Sequence, residues 1–397
     1  MKKVLKVLSF IMIMILLTAC KEEAKEMKNT TTADSDTVGV VDEIKAAEIG
    51  FKYNSDMRYA ERYQMVSLSE AGVIYDDHDG GLVHLVTIDE ADDMVLCYNP
   101  NCTHPKARAT YGDPECMGAM YDSILCRTAY YNGSVYFFVG DGVFAHRVYV
   151  MDTNGSGRKL LAEFPFFFSI SYFAIFKDDK VYYTAQIPNV DEITNKVSYM
   201  NRIIELNLRD GSYRFITEES EDLMSWANLS ENTFYVRPAD QSDGGRLYLQ
   251  TININTLETK IAISTDEWKA GIRYVDAYDG DSYYYYDKMT YELGIRNVDG
   301  TVEEILLKGA EGEDYVCADP SCDGLFYKRE YDYEDEPAGG YFLDMKTREV
   351  INITDEMEKY NIMGYDGYYG AFVGRDADFN WSMWSKEKVL GEAKADS

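Results

Sequence analysis

From Ser67 onward, apolar and polar residues alternate in short runs separated by polar turns. That alternation predicts half-buried strands. Within it one motif recurs: a few β-formers, a tight turn holding Gly, Asp or Glu, then a strand with aromatic and branched residues. The instances begin at Ser67 (SLSEAGVIYDD), Ala129 (AYYNGSVYFFV), Ala174 (AIFKDDKVYYTA), Ala227 (ANLSENTFYVRP), Asp276 (DAYDGDSYYYYD), Cys317 (CADPSCDGLFYKRE) and Met363 (MGYDGYYGAFVG). The turn residues Gly133, Asp179, Glu231, Gly280, Asp323 and Asp366 are separated by steps of 46, 52, 49, 43 and 43 residues. A second amphipathic strand pair follows each motif, as in HRVYVMDTNGSGRKLLAEF and NRIIELNLRDGSYRFITEE, with NG and DG at the hairpin turns. A four-stranded unit repeating at about 40–50 residues cannot bury both faces alone and must stack around an axis. The fold expected is all-β, a single β-propeller of about seven four-stranded blades, with six or eight as alternatives if the first and last units share strands. Two β-sandwiches are the competing architecture, but they give no reason for the aromatic strand to repeat. No long helical pattern separates the units, which excludes a parallel β/α fold.

The N-terminus reads differently. Met1 to Lys6 carries three lysines, Val7 to Leu17 is almost wholly apolar, and Leu17-Thr18-Ala19 precedes Cys20. A basic start, a short apolar run and a small-residue end predict a signal peptide over 1–19. Leu-Thr-Ala-Cys resembles the lipobox of bacterial lipoproteins, which implies a lipidated Cys20 as mature N-terminus and a body on the extracytoplasmic face of the cell membrane. Two or more acyl chains, palmitate among them, make such anchoring stable. Residues 20–50 are polar and lack aromatics after the Cys until Phe51, so they read as a lipidated tether, with at most a short helix at Asp42 to Ile49. The propeller domain is expected over 51–390 and a frayed tail over 391–397. The units lack the Gly-His and Trp-Asp signatures of WD40 repeats. They resemble the loosely repeating propellers of bacterial surface lipoproteins of clostridial type, and are distantly similar to the YWTD propellers of low-density lipoprotein receptors.

Composition sharpens this picture in two ways. The 397 residues include 34 Tyr, a residue that favours strands and half-wet surfaces. Against 39 basic groups stand 69 acidic ones, a net charge of −30, so no surplus cation exists to displace phosphate counterions and nucleic acid is excluded as a partner. Cationic proteins, metal ions and polyhydroxylated glycans are the partners this charge and aromaticity suit.

Six cysteines remain after Cys20: Cys97, Cys102, Cys116, Cys126, Cys317 and Cys322. An even count in an exported chain suggests disulfides. Cys97-Tyr-Asn-Pro-Asn-Cys102 and Cys317-Ala-Asp-Pro-Ser-Cys322 share a spacing in which Pro and Asn or Asp bend the backbone and bring the sulfurs together. Bridges 97–102, 116–126 and 317–322 would leave His104 a plain surface residue. Alternatively, Cys97, Cys102, His104 and Cys116 supply three thiols and an imidazole, a sufficient set for a tetrahedral structural zinc. Cys97, Pro100, Cys102, His104 and Cys116 resemble a Cys-x2-Pro-x-Cys-x-His…Cys insert of propeller lipoproteins from gut clostridia. Both chemistries stay open, and either clips an insert between the first two units that has no core of its own.

No catalytic signature stands out. Asn154-Gly155 places Gly155-Ser156-Gly157 in a hairpin turn and not a nucleophile elbow. Asp76-Asp77-His78-Asp79-Gly80 lacks the spacing of a calcium loop and reads as a charged turn. His84 and His146 fall in strands. The aromatic groups Tyr283 to Tyr286, Phe164 to Phe168, Tyr368-Tyr369, and Trp381 with Trp384 are either blade core or stacking platforms for sugar rings. The function expected is a surface-displayed, lipid-anchored, non-catalytic binding or scaffolding protein, monomeric, with a glycan, cationic protein or peptide as ligand. The alternative is a carbohydrate-active hydrolase or lyase using carboxylates from neighbouring blades.

Overall fold

The computed structural model describes residues 57–60, 66–69, 71–77, 81–87, 93–105, 115–120, 125–140, 146–190, 197–240, 246–311, 313–320, 323–331, 339–366, 370–375 and 381–396. The lipobox, the tether and the proposed helix turn at Asp42 to Ile49 lie outside them.

Where the chain alternates, it forms strands, and the strands make seven antiparallel sheets. Blade 1 holds Val66–Leu68, Gly72–Asp77, Leu82–Thr87 and Asp93–Val95; blade 2 holds Leu125–Tyr131, Ser134–Gly140, His146–Asp152 and Lys159–Phe164. Blade 3 runs from Phe167–Lys177 to Tyr213–Phe215, blade 4 from Leu223–Ser230 to Thr259–Ile263, and blade 5 from Ile272–Asp279 to Val302–Lys308. Blade 6 runs from Glu313–Pro320 to Val350–Asn352, and blade 7 is Ile362–Asp366, Ala371–Arg375 and Trp381–Ser385. Among the described residues, the recurrent turn joins the first two strands of blades 2 to 5. In blades 2 and 3 both turn residues have positive φ, Asn132 with Gly133 and Asp178 with Asp179, the conformation whose twist matches tight hairpins. The registers Tyr131↔Ser134 and Lys177↔Lys180 follow from it.

Each blade buries one face against the blade before it and the other against the blade after. Ile74, Val83, Val135 and Phe137 fill the seam between blades 1 and 2, and Tyr136, Phe138, Phe176 and Tyr183 the next. Later seams hold Tyr182 with Phe234, Tyr235 with Tyr283, Tyr284 with Leu325, and Phe342 with Phe372. A seventh core of Leu68, Val73, Val86, Ala371, Val373 and Trp381 joins blade 7 to blade 1 and closes the ring. The fold is therefore a seven-bladed β-propeller.

Closure differs from strand sharing between the first and last units. Every blade is built from consecutive strands, except that Met57–Ala60 adds to the first strand of blade 3. Among the described residues blade 7 has three strands, and its outer flank carries a helix. Three helices occur among the described residues: α1 (Thr265–Ala270), α2 (Thr354–Lys359) and α3 (Lys386–Asp396). The terminal segment expected to fray is thus the second half of α3. It orders because Val389, Leu390 and Ala393 pack into the seam of blades 6 and 7. Ion pairs Lys359–Glu392 at 2.8 Å and Lys394–Glu349 at 2.6 Å flank that contact. No helix among the described residues is long and apolar enough to cross a membrane.

Candidate metal centre

Blade 1 ends at its outer edge, and blade 2 begins at the axis, so the chain must cross the ring between Val95 and Leu125. The crossing starts by extending blade 1: Leu96 N–H donates to Val83 O at 2.9 Å. Asn99 then turns the chain, its Oδ1 accepting from Asn101 N at 3.0 Å and its carbonyl from Cys102 N at 3.0 Å. Residues 115–120 return along the same edge, with Val83 N donating to Gly118 O and Met120 N to Gly81 O, both at 2.8 Å.

These two passes bring Cys97, Cys102, His104 and Cys116 together, with one ligating atom from each lying within 4.8 Å of all the others. The three thiols are free of disulfides. Cys116 is buried at 1% exposure, in a small apolar pocket with Leu82 and Ala119, while the other three ligands are half-buried. His104 Nδ1 lies 3.5 Å from Cys116 Sγ. Tetrahedral zinc, with Zn–S of about 2.3 Å and Zn–N of about 2.0–2.1 Å, places such atoms about 3.5 Å apart. His104 has a φ of 46°, a conformation uncommon outside glycine that is retained where surroundings over-determine it. The cluster can therefore hold a metal ion.

The sulfurs sit among donors. Burial raises the Cys97 thiol, but amides of Asn99 and Met117 and the neighbouring thiols outweigh burial and hold it below the ordinary range. Burial pushes the Cys116 thiol up to about 12 against a lowering contact from the Gly118 amide. A bound cation would displace the thiol protons. Cys126 lies in the first strand of blade 2 and Cys317 in that of blade 6; their side chains and Cys322 fall outside the described residues, as does any pairing among them.

Two contributors carried no signal beyond a hairpin turn. Gly155, with φ of 78°, packs so closely that a Cβ would lie 2.6 Å from Cys97 N. Arg158, at 8% exposure, donates from Nη1 to Met117 O at 2.7 Å and Ala119 O at 2.5 Å.

The remaining candidates are engaged elsewhere. Tyr283 and Tyr285 face blade 4, Tyr284 and Tyr286 blade 6, and all four are buried. Phe164 and Phe166 pack between blades 2 and 3, Trp381 sits in the closing seam, and Tyr368-Tyr369 fall outside the described residues. Trp384 lies tilted against the Tyr360 ring, centroids 4.8 Å apart. It also walls a cavity of about 260 Å3 between blades 7 and 1, beside Val86, Thr87, Ser382 and Lys388. His84 Nδ1 meets Asp93 at 2.8 Å and its ring stacks on Tyr75 at 5.0 Å; His146 is buried. Asp76 is a buried strand residue that accepts Thr128 N at 3.2 Å across the seam. Asp77 pairs with Leu82 on the two sides of a hairpin turn. Gly155-Ser156-Gly157 is the expected turn, with Asp152 N donating to Ser156 O at 2.9 Å.

No known protein family and no curated protein matches this chain. Among solved structures it is similar to a puromycin-hydrolyzing peptidase of Mycobacterium tuberculosis, at TM-score 0.50 and 9% identity, over 85% of this chain and 52% of that one. It is also similar to dipeptidyl peptidase 4 of Porphyromonas gingivalis, at 0.42 and 9%, over 90% and 61%. A third is the β-propeller domain of the Trilobed protease of Pyrococcus furiosus, at 0.44 and 12%, over 74% and 84%. This chain thus spans less than two thirds of the two peptidases' lengths, and identities this low speak to fold alone.

Proposed function

We propose that this protein is a surface-displayed, lipid-anchored binding or scaffolding propeller, held to the cell membrane through Cys20. Its ring is tied at the crossing from blade 1 to blade 2 by a structural zinc on Cys97, Cys102, His104 and Cys116. Thiolate-rich N/S sets suit zinc by softness and by its indifference to geometry. One observation carries the reading: among the described residues, the chemistry-bearing side chains singled out in the sequence are committed to architecture. His104 faces three thiols, His84 an aspartate, Asp76 a backbone amide, and the tyrosine run two blade cores. A tethered rigid ring of net charge −30 suits capture of cationic or polyhydroxylated partners. The cavity walled by Trp384, with hydroxyls of Thr87 and Ser382 and the Lys388 ammonium at hand, suits one ring of a polyhydroxylated glycan.

The test is retention of the purified mature domain on a polysaccharide and basic-protein panel. Retention on one polymer without product, weakened by Trp384→Ala, is expected. New reducing ends or unsaturated products overturn the binding reading in favour of a carbohydrate-active hydrolase or lyase. Cys20→Ala should release the chain or leave it unprocessed; normal processing with membrane retention overturns the anchor.

A further inference from the structure

The four candidate ligands have an outer wall, and blade 2 supplies it. Residues 115–120 carry no strand or helix, yet two of their amides are aimed at sulfur, Met117 N–H at Cys97 and Gly118 N–H at Cys116. A third, from Asn99, also serves Cys97. Amides that donate to a thiolate fix its orientation and stabilise its charge, but only if the loop presenting them keeps its aim.

Arg158 holds that aim from behind. Its Nη1 bonds the carbonyls of Met117 and Ala119, which flank Gly118 on either side. A carbonyl and the following amide belong to one planar peptide, so fixing Met117 O also fixes the direction of Gly118 N–H toward Cys116. The guanidinium is itself fixed, its carbon 3.9 Å from the centre of the buried Phe137 ring. Gly155, in the same turn as Arg158, closes the other side: Tyr98 N donates to Gly155 O at 3.4 Å.

We propose that Arg158 is the positioning residue of this metal centre: by holding the Met117 and Ala119 carbonyls it fixes the loop that carries Cys116 and the Gly118 amide that serves its sulfur, and so sets how tightly zinc is held. The inference rests on the zinc reading above. The experiment loads the reduced, mature chain with zinc and withdraws it with a chromophoric chelator, then repeats the titration with cobalt, whose absorption reports thiolate ligation. Wild type should hold one ion per chain, and His104→Ala and Cys116→Ser should lose it. Arg158→Met should keep one ion per chain and the cobalt–thiolate bands, yet bind about 10–100-fold more weakly, the usual cost of an outer-shell partner. Arg147→Met, on the same blade but paired with Glu163, should bind as wild type. If Arg158→Met does not fold, Arg158→Lys, which keeps the charge but not the fork, should bind several-fold more weakly. Wild-type affinity in the folded Arg158 variant overturns the inference and leaves the zinc site standing. A reduced wild type that holds no metal overturns the zinc reading itself.

Discussion

Two seams of one ring are held by different means. Between blades 6 and 7, Phe326, Phe342, Tyr365 and Phe372 interlock, with Phe342–Tyr365 and Tyr365–Phe372 centroids both 5.0 Å apart. Helix α3 lays Val389, Leu390 and Ala393 over them. Tyr365 donates to Asp323 at 3.2 Å, and Lys386 pairs with the same carboxylate at 3.0 Å. Between blades 1 and 2 a comparable apolar core exists, but the crossing over it has no regular element from 96 to 105 or from 115 to 120. There the backbone is held by turns and by Arg158, and it brings the cysteine–histidine cluster together. A segment with its own apolar face can be ordered by burial; one without it needs a cross-link.

The contrast can be broken from the apolar side first. Phe342→Ala should cost about 3–5 kcal/mol, because a fully buried ring is lost where three neighbours cannot collapse into the space. Denaturant midpoints at unchanged m-value would measure it, and a cost under about 1 kcal/mol would show that α3 and not the ring core carries this seam. Metal withdrawal probes the other side. With zinc at about 100-fold its dissociation constant, removing it should cost about 2.7 kcal/mol. Cleavage should then rise between residues 95 and 124 while blades 6 and 7 stay protected, as limited proteolysis can read. Uniform loosening of all blades would mean that the clip holds the whole ring.

A polar cluster within blade 3 sharpens the comparison, and its Arg214 reaches blade 4 by donating from Nη2 to Ile254 O at 3.2 Å. Burial raises Glu205, but hydrogen bonds from Arg214, Lys180 and Tyr182 outweigh burial and hold its carboxyl below the usual range. A carboxyl so depressed stabilises the fold above its unfolded pKa of about 4.3, and this is lost as pH falls through the folded value. Glu205→Gln should therefore cost about 1–3 kcal/mol at about pH 7, and the two proteins should converge in stability as pH falls below the folded value. A constant difference across that range would exclude the ionised carboxylate as the cause.

Much of this was legible before any coordinates. The seven recurrences beginning at Ser67, Ala129, Ala174, Ala227, Asp276, Cys317 and Met363 fall one to each blade, because a period of two and a tight turn are local properties that a strand cannot hide. The grouping of Cys97, Cys102, His104 and Cys116 was legible too, since softness and short spacing belong to the residues themselves.

Other features needed the assembled ring. Lys386 to Asp396 holds too few apolar residues to declare a helix, and it became one because blades 6 and 7 offered a groove for Val389 and Leu390. Tyr283 to Tyr286 read equally as platform or core until two neighbouring blades covered alternate members. Arg158 lies 42 residues beyond Cys116 and looked like the end of a turn; only the packing of blade 2 on blade 1 set its guanidinium behind the loop that faces the sulfurs. The sequence by itself determined which segments would be strands and which side chains could ligate. Tertiary structure decided what each of them touches, because contacts between blades join residues that no local period relates.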